Sequence, residues 1–76
     1  MPPLPSLSGR DAVSVFASLG WQVARQRGTH MIMVRDGSLA TLSVPDHTLV
    51  AKGTLRSLIH AADLTVQEFV DAWERL

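Results

Sequence analysis

The 76-residue chain contains no cysteine, which excludes a disulfide framework and a thiolate metal site. It also lacks any apolar run near the ~20 residues that a membrane-spanning helix needs. The N-terminal stretch MPPLPSLS has neither the basic start nor the continuous apolar segment of a signal peptide. We therefore expect a cytoplasmic protein with no membrane partner and a single small core.

An excess of positive charge is also missing, because the formal net charge is zero. The distribution is nevertheless uneven. Residues 1–35 carry four arginines against one aspartate, a balance of +3, and residues 36–76 carry three basic against six acidic residues, a balance of −3. General nucleic-acid binders usually have a strong positive excess. The sequence therefore indicates only a local basic patch, and any contact with nucleic acid should be weak or brief or should involve few phosphates.

The first helix has clear signals at both ends. Residues 1–7 are rich in proline and are predicted to be extended or disordered, with a single domain over residues 8–76. Ser8 is predicted to open the helix, with Asp11 completing a capping box. Gly20 is well placed to end it in a left-handed conformation.

A strand is predicted next, in the stretch WQVARQR. Strict alternation would put Val23, Arg25 and Arg27 on one face of the sheet. Gly28-Thr29 then makes a turn into the stretch HMIMVR. This second strand is apolar on both faces, which is typical of a central strand covered on both sides or of a sheet with one face left for a partner.

The dipeptide Asp36-Gly37 favours a type I′ hairpin turn, since that turn needs positive φ angles. The stretch LATLSVP would be the third strand, with Leu42 and Val44 facing the core, Thr41 and Ser43 facing outward, and pairing ended by proline. Three short consecutive strands of this kind indicate an antiparallel sheet.

Two more helices are predicted after the sheet. Thr54 is expected to cap the second, and Thr65 with Glu68 makes a full capping box for the third. The resulting order is helix, three strands, helix, helix. This order predicts an α+β fold in which the helices pack on one face of a three-stranded antiparallel sheet.

Three stretches occur in order at close spacing: GWQVARQRGTH, VPDH and KGTLRSLIHAADLTVQEF. Together they resemble the HicA family of small bacterial toxins, over roughly residues 8–69. That resemblance implies a double-stranded-RNA-binding-like fold of order α-β-β-β-α, here with an extra C-terminal helix. It also implies a ribosome-independent endoribonuclease that cleaves mRNA and is paired with a HicB-like antitoxin. No cofactor or metal is expected, and a homodimer is left open.

The resemblance implies His30 as the catalytic residue, because it follows the Gly28-Thr29 turn. The residues expected to contact RNA are Arg25, Arg27, Thr29, His47, Lys52 and Arg56. Histidine suits acid–base cleavage of RNA because its ordinary pKa of ~6.5 leaves both forms populated near neutral pH. Arginines before the turn could stabilise charge on the reacting phosphate. The plainer alternative is that His30 is only a polar residue at the start of a strand.

Each of the other candidates has an ordinary structural alternative. His47 could be a second acid, base or RNA contact, or simply a solvated loop residue, whereas His60 is best explained as a helix-surface residue. Lys52 and Arg56 could bind phosphate at a helix N-terminus or be solvated charges. Met31, Met33 and Trp21 could form an apolar sheet surface for an antitoxin or pack in the core. For the whole chain, the alternative function is a non-catalytic module that binds RNA or an antitoxin.

Overall fold

The computed structural model of the protein describes residues 3–76. Its elements are α1 (Gly9–Ser18), β1 (Gln22–Arg27), β2 (His30–Val34), β3 (Leu42–Pro45), α2 (Lys52–Ala61) and α3 (Val66–Glu74). The three strands form one antiparallel sheet in the order β1-β2-β3. The predicted α+β fold is confirmed, including the α-β-β-β-α order and the additional C-terminal helix.

Local sequence signals set the N-termini of two helices. In α1, the Ser8 side chain accepts a hydrogen bond from the backbone N–H of Asp11, whose carboxylate accepts one from the backbone N–H of Ser8. Thr65 and Glu68 make the same reciprocal pair at the start of α3. Both capping boxes are confirmed, because each satisfies backbone donors that helix formation leaves without a partner.

The C-termini of α1 and α2 share one motif. In α1, a glycine with φ of 99° follows the helix, and Trp21 N–H donates to the Phe16 carbonyl at 3.1 Å. In α2, Leu64 N–H donates to the Ile59 carbonyl at 3.1 Å, and the residue in the left-handed position is Asp63, with φ of 59°. This is the Schellman arrangement, in which glycine is the usual residue at that position. Asp63 therefore occupies a backbone conformation that costs most side chains free energy.

The prediction that Thr54 caps α2 is wrong, since the helix begins at Lys52 and its N-cap residue is Ala51. Ala51 provides no side-chain hydrogen bond to the helix. The chain just before it is fixed by tertiary contacts, because Val50 is buried and its N–H donates to the carbonyl of Leu7 at 2.8 Å. Packing, rather than a capping side chain, therefore sets the start of this helix.

The N-terminal segment, residues 3–7, has no helix or strand but joins the core. Leu4 and Leu7 are 3% and 1% exposed. The Lys52 ammonium group donates a hydrogen bond to the Leu4 carbonyl at 2.7 Å, which ties this segment to the start of α2. Residues 1 and 2, also predicted to be extended or disordered, lie outside the described part of the chain.

The loop between β2 and β3 differs from the predicted hairpin. Gly37 has φ of 82°, but Asp36 does not have the positive φ that a type I′ turn also requires. Ser38 N–H donates to the Arg35 carbonyl at 3.1 Å, and pairing with β2 resumes only at Leu42. The third strand is therefore shorter than predicted, and residues 35–41 form an open loop.

A β-bulge changes which side chains of β1 share a face. The pairing of β1 with β2 shifts between Val23 and Arg25, so that Val23 lies opposite Met33 and Arg25 lies opposite Ile32. Consecutive residues of β2 point to opposite faces of the sheet. Val23 and Arg25 therefore point to opposite faces, so the predicted shared face is wrong for Val23, although Arg25 and Arg27 do share a face. One inserted residue reverses the alternation of the rest of a strand.

The core lies on the face of the sheet that α1 and α2 cover. Its strand residues are Met31, Met33, Leu42 and Val44, and it also contains Trp21. Phe16 of α1 and Phe69 of α3 meet there with ring centroids 5.1 Å apart. Met31, Met33 and Trp21 thus pack in the core and do not form an exposed apolar surface. Helices on one face leave the opposite face of the sheet uncovered by any helix.

Candidate functional site

The open face, as we call the sheet surface away from the helices, carries two rows of side chains across the strands. In the first row, Arg27 of β1 lies opposite His30 of β2, which lies opposite Pro45 of β3. In the second row, Arg25, Ile32 and Ser43 follow the same order. Directly opposed residues in an antiparallel pair have Cβ atoms about 5 Å apart. The register that begins at the Gly28-Thr29 turn therefore places Arg27 directly beside His30 and Arg25 diagonally from it.

These rows form a shallow groove of about 450 Å³. Its lining residues are Arg25, Arg27, His30, Ile32, Thr41, Leu42 and Ser43. Ile32 is only 9% exposed, yet it is not part of the core cluster. It forms an apolar floor that the flanking side chains cover, as arginine stems commonly do. The imidazole and both guanidinium groups stay exposed to solvent.

Main-chain contacts on both sides fix the position of His30. The two-residue turn Gly28-Thr29 precedes it. Gly28 has a positive φ of 56° and Thr29 does not, which is the pattern of a type II′ turn. The carbonyl of Thr29 accepts a hydrogen bond of 2.7 Å from the N–H of Asp46, just after β3. The turn is thus joined to both neighbouring strands. His30 is exposed at its side chain and held at its backbone.

The two arginines of the groove give it a local positive charge. Within residues 3–76, the structure contains one ion pair, between Arg10 and Asp46 at 3.4 Å, so neither Arg25 nor Arg27 is neutralised by a carboxylate within 4.0 Å. An anion in solvent can therefore reach both side chains. Adjacent guanidinium groups can each donate two hydrogen bonds to one phosphate.

The remaining predicted contacts lie outside the groove lining. His47 is exposed in the loop after β3, and its carbonyl accepts a hydrogen bond from Gly9 N–H at 2.8 Å. Arg56 is exposed on α2, and Lys52 is exposed at the start of that helix with its ammonium group bonded to Leu4. Thr29 belongs to the turn before His30. The structure brings together Arg25, Arg27 and His30, and it does not place the other four in the groove.

Four lining residues, Ile32, Thr41, Leu42 and Ser43, were not predicted as site residues. The alternation of β3 did place Thr41 and Ser43 outward, opposite to Leu42 and Val44, so the signal was present. Ile32 looked like one more core residue within an apolar strand. Only the position of the helices reveals that it faces the groove.

Acid–base chemistry and anion binding are what this groove can support. It offers one imidazole, two guanidinium groups and two hydroxyl groups within one open surface. Among the residues that the structure describes, no group of three His, Cys, Asp or Glu side chains is positioned to hold a metal ion. No helix in residues 3–76 is long and apolar enough to cross a membrane.

The fold and the groove together define a small α+β protein with a basic, histidine-bearing sheet face. A family model for the HicA toxin of bacterial toxin–antitoxin systems matches residues 9–64, most of the 76-residue chain. The chain belongs to the HicA toxin family, and membership of this family implies an antitoxin partner. Comparison with curated proteins and with solved structures gives no significant match.

Proposed function

We propose that the protein is an endoribonuclease toxin that cleaves mRNA, with His30 as the catalytic acid or base. The supporting observation is that His30, Arg25 and Arg27 meet in one solvent-open groove. A ribonuclease needs this combination, because it must both move a proton and stabilise negative charge on a phosphate.

The chemistry requires only groups that RNA and the protein supply. A base removes the proton of a ribose 2′-hydroxyl, and the oxygen attacks the adjacent phosphorus. The bond to the 5′-oxygen of the next nucleotide breaks, and that oxygen takes up a proton. The products are a 2′,3′-cyclic phosphate and a 5′-hydroxyl. His30 exchanges one of these protons, and both groove arginines stabilise the added charge on the phosphate.

The residues outside the groove have secondary roles in this proposal. Thr29 lies next to His30 and would contact the sugar–phosphate chain as it leaves the groove. His47, in the loop that follows β3, would make a further RNA contact. Lys52 and Arg56 would bind a more distant phosphate near the start of α2, where free backbone N–H groups also favour an anion.

A HicB-like antitoxin is the proposed protein partner, and the cytoplasm, where mRNA is present, is the proposed location. The antitoxin would keep the toxin inactive during growth. Neither an additional cofactor nor a resident metal is part of the proposal, and the assay below tests this directly.

The decisive experiment incubates the purified protein with a long mRNA in the presence of a metal chelator. Fragments ending in cyclic phosphate are expected. His30→Ala should lower the cleavage rate by about 100-fold or more, since positioned acid–base catalysis contributes that much. His60→Ala is the matched control, because His60 is an exposed histidine on α2, away from the groove. Equal cleavage by the His30 variant would remove His30 from the mechanism.

One observation favours a second candidate, a module that binds RNA or the antitoxin without cutting. The groove lining contains a single imidazole and no other side chain that exchanges protons readily near neutral pH. If this alternative holds, the protein will bind RNA but leave it intact, both with and without added divalent metal ions.

A further inference from the structure

The groove contains groups that recognise a sugar–phosphate chain and almost none that recognise a base. Its lining offers two guanidinium groups, an imidazole, two hydroxyl groups and the side chain of Ile32. Proteins usually bind unpaired bases by stacking them on aromatic rings and by hydrogen bonding to their edges. The groove therefore needs exposed aromatic rings or polar groups aimed at base edges if it is to recognise bases.

No aromatic ring other than the imidazole is available in the groove. The chain has two phenylalanines, two tryptophans and no tyrosine. Phe16, Phe69 and Trp21 are buried in the core, and Trp73 lies on α3, beside the N-terminal segment. A base entering the groove would therefore find the aliphatic floor of Ile32 instead of a stacking surface.

Amide side chains, which commonly read base edges, are also elsewhere. The chain has no asparagine. Gln26 lies opposite Met31 on the core side of the sheet, and its amide donates to the Gly28 carbonyl at 3.2 Å. Gln22 shares the open face, but it lies opposite Val34 at the far end of the strands and does not line the groove.

Arginine can read guanine when its guanidinium group is held in a fixed plane. Arg25 and Arg27 are both exposed, and neither has a carboxylate partner within 4.0 Å in the described part of the chain. Residues two apart on a strand are about 6.6 Å apart, so both side chains can reach the reacting phosphate, and one of them can also reach the next phosphate. Because no ion pair within residues 3–76 holds either guanidinium group in one plane, both arginines contribute chiefly positive charge to the groove.

We propose that the groove recognises the backbone of unpaired RNA and not its bases, so that the enzyme cuts at nearly all base steps. This inference rests on the proposed ribonuclease function. Duplex RNA is a poor substrate because its binding needs a basic surface that spans many phosphates, whereas this chain is neutral overall and the groove has two arginines.

The test maps cleavage in a pool of RNAs with a randomised unpaired region, with each rate divided by that of alkaline hydrolysis at the same step. This division removes the intrinsic lability of each linkage. One base-reading contact would produce a preference of about 5- to 150-fold, and we expect a spread below about 5-fold. A larger spread overturns the inference while supporting the ribonuclease function. Absence of cleavage overturns the ribonuclease function instead.

A binding measurement keeps the inference testable even without cleavage. The His30→Ala variant should bind oligo(A), oligo(U) and oligo(C) with dissociation constants within about 5-fold, and duplex RNA more weakly. Arg25→Lys should leave the sequence profile unchanged, and Arg25→Ala should weaken binding to all sequences equally. A profile altered by Arg25→Lys, or strong binding to one homopolymer alone, would contradict backbone recognition. Failure to bind any RNA would overturn it as well.

Discussion

The ammonium group of Lys52 donates a hydrogen bond to the main-chain carbonyl of Leu4, across 48 residues of sequence, at 2.7 Å. This bond joins the start of α2 to the N-terminal segment, whose Leu4 and Leu7 are buried in the core. A basic residue that looks like an RNA contact in the sequence therefore also has a structural role. The two roles are separable by experiment.

Lys52→Met should destabilise the protein, because it keeps most of the apolar stem and removes the charged donor to Leu4. A hydrogen bond from a charged group contributes about 1 kcal/mol when it is partly exposed. Denaturant unfolding would measure this loss. Arg56→Met is the control, since Arg56 is exposed on the same helix, and it should change stability by less than about 0.5 kcal/mol. Equal stability of both variants would show that the bond is unimportant in solution.

Arg56→Ala should make RNA binding less sensitive to salt. Each phosphate contact to a single strand contributes about 0.7 to the slope of log affinity against log salt concentration. Loss of Arg56 should reduce that slope by about this amount, and Lys52→Ala should do the same. Arg75→Ala, at the exposed end of α3, should leave it unchanged. An unaltered slope for Arg56→Ala would place this residue outside the RNA interface.

Gly9→Ala should be strongly destabilising. A Cβ atom at Gly9 would lie 1.9 Å from the carbonyl oxygen of Pro45, which is main chain and cannot move aside alone. Forcing this contact should cost about 2 kcal/mol or more. Gly53→Ala provides the contrast, because a Cβ there meets nothing within 4 Å, and helix propensity should make that variant more stable by about 0.5 kcal/mol. Thermal unfolding of both variants would test the close approach of α1 to β3.

Asp63→Gly should stabilise the protein by about 0.5 kcal/mol. Asp63 has φ of 59° at the end of α2, where glycine has no steric penalty. The gain is partly offset by the greater freedom of glycine in the unfolded chain. Asp63→Ala should be less stable than the wild type, since alanine tolerates this conformation poorly. A stability order other than glycine, aspartate, alanine would argue against the left-handed geometry.

The elements that the sequence predicted well are those that depend on nearby residues. The capping boxes at Ser8 and Thr65 and the helix end at Gly20 each involve partners within a few positions along the chain. The approximate positions of the three strands also followed from short patterns of alternating and turn-forming residues.

The features that sequence reasoning missed depend on distant parts of the chain. The bulge beside Arg25 exists only in relation to the pairing partner β2, so the sequence of β1 alone could not reveal it. The true start of α2 depends on packing of Val50 against the N-terminal segment. Ile32 faces the groove because the helices cover the opposite face of the sheet, which the sequence of β2 alone does not specify. The roles of His47, Lys52 and Arg56 toward RNA stay predictions.

The alternation of β2 separates two tasks that a small protein must perform with few residues. Met31 and Met33 pack against the helices on one face of the sheet. His30, which precedes Met31, and Ile32, which lies between the two methionines, face the groove on the other side. Substitutions at His30 and at the exposed arginines of the groove therefore disturb few of the contacts that maintain the fold. Such an arrangement lets the reactive surface diversify in evolution, or in a laboratory library, while the scaffold beneath it remains intact.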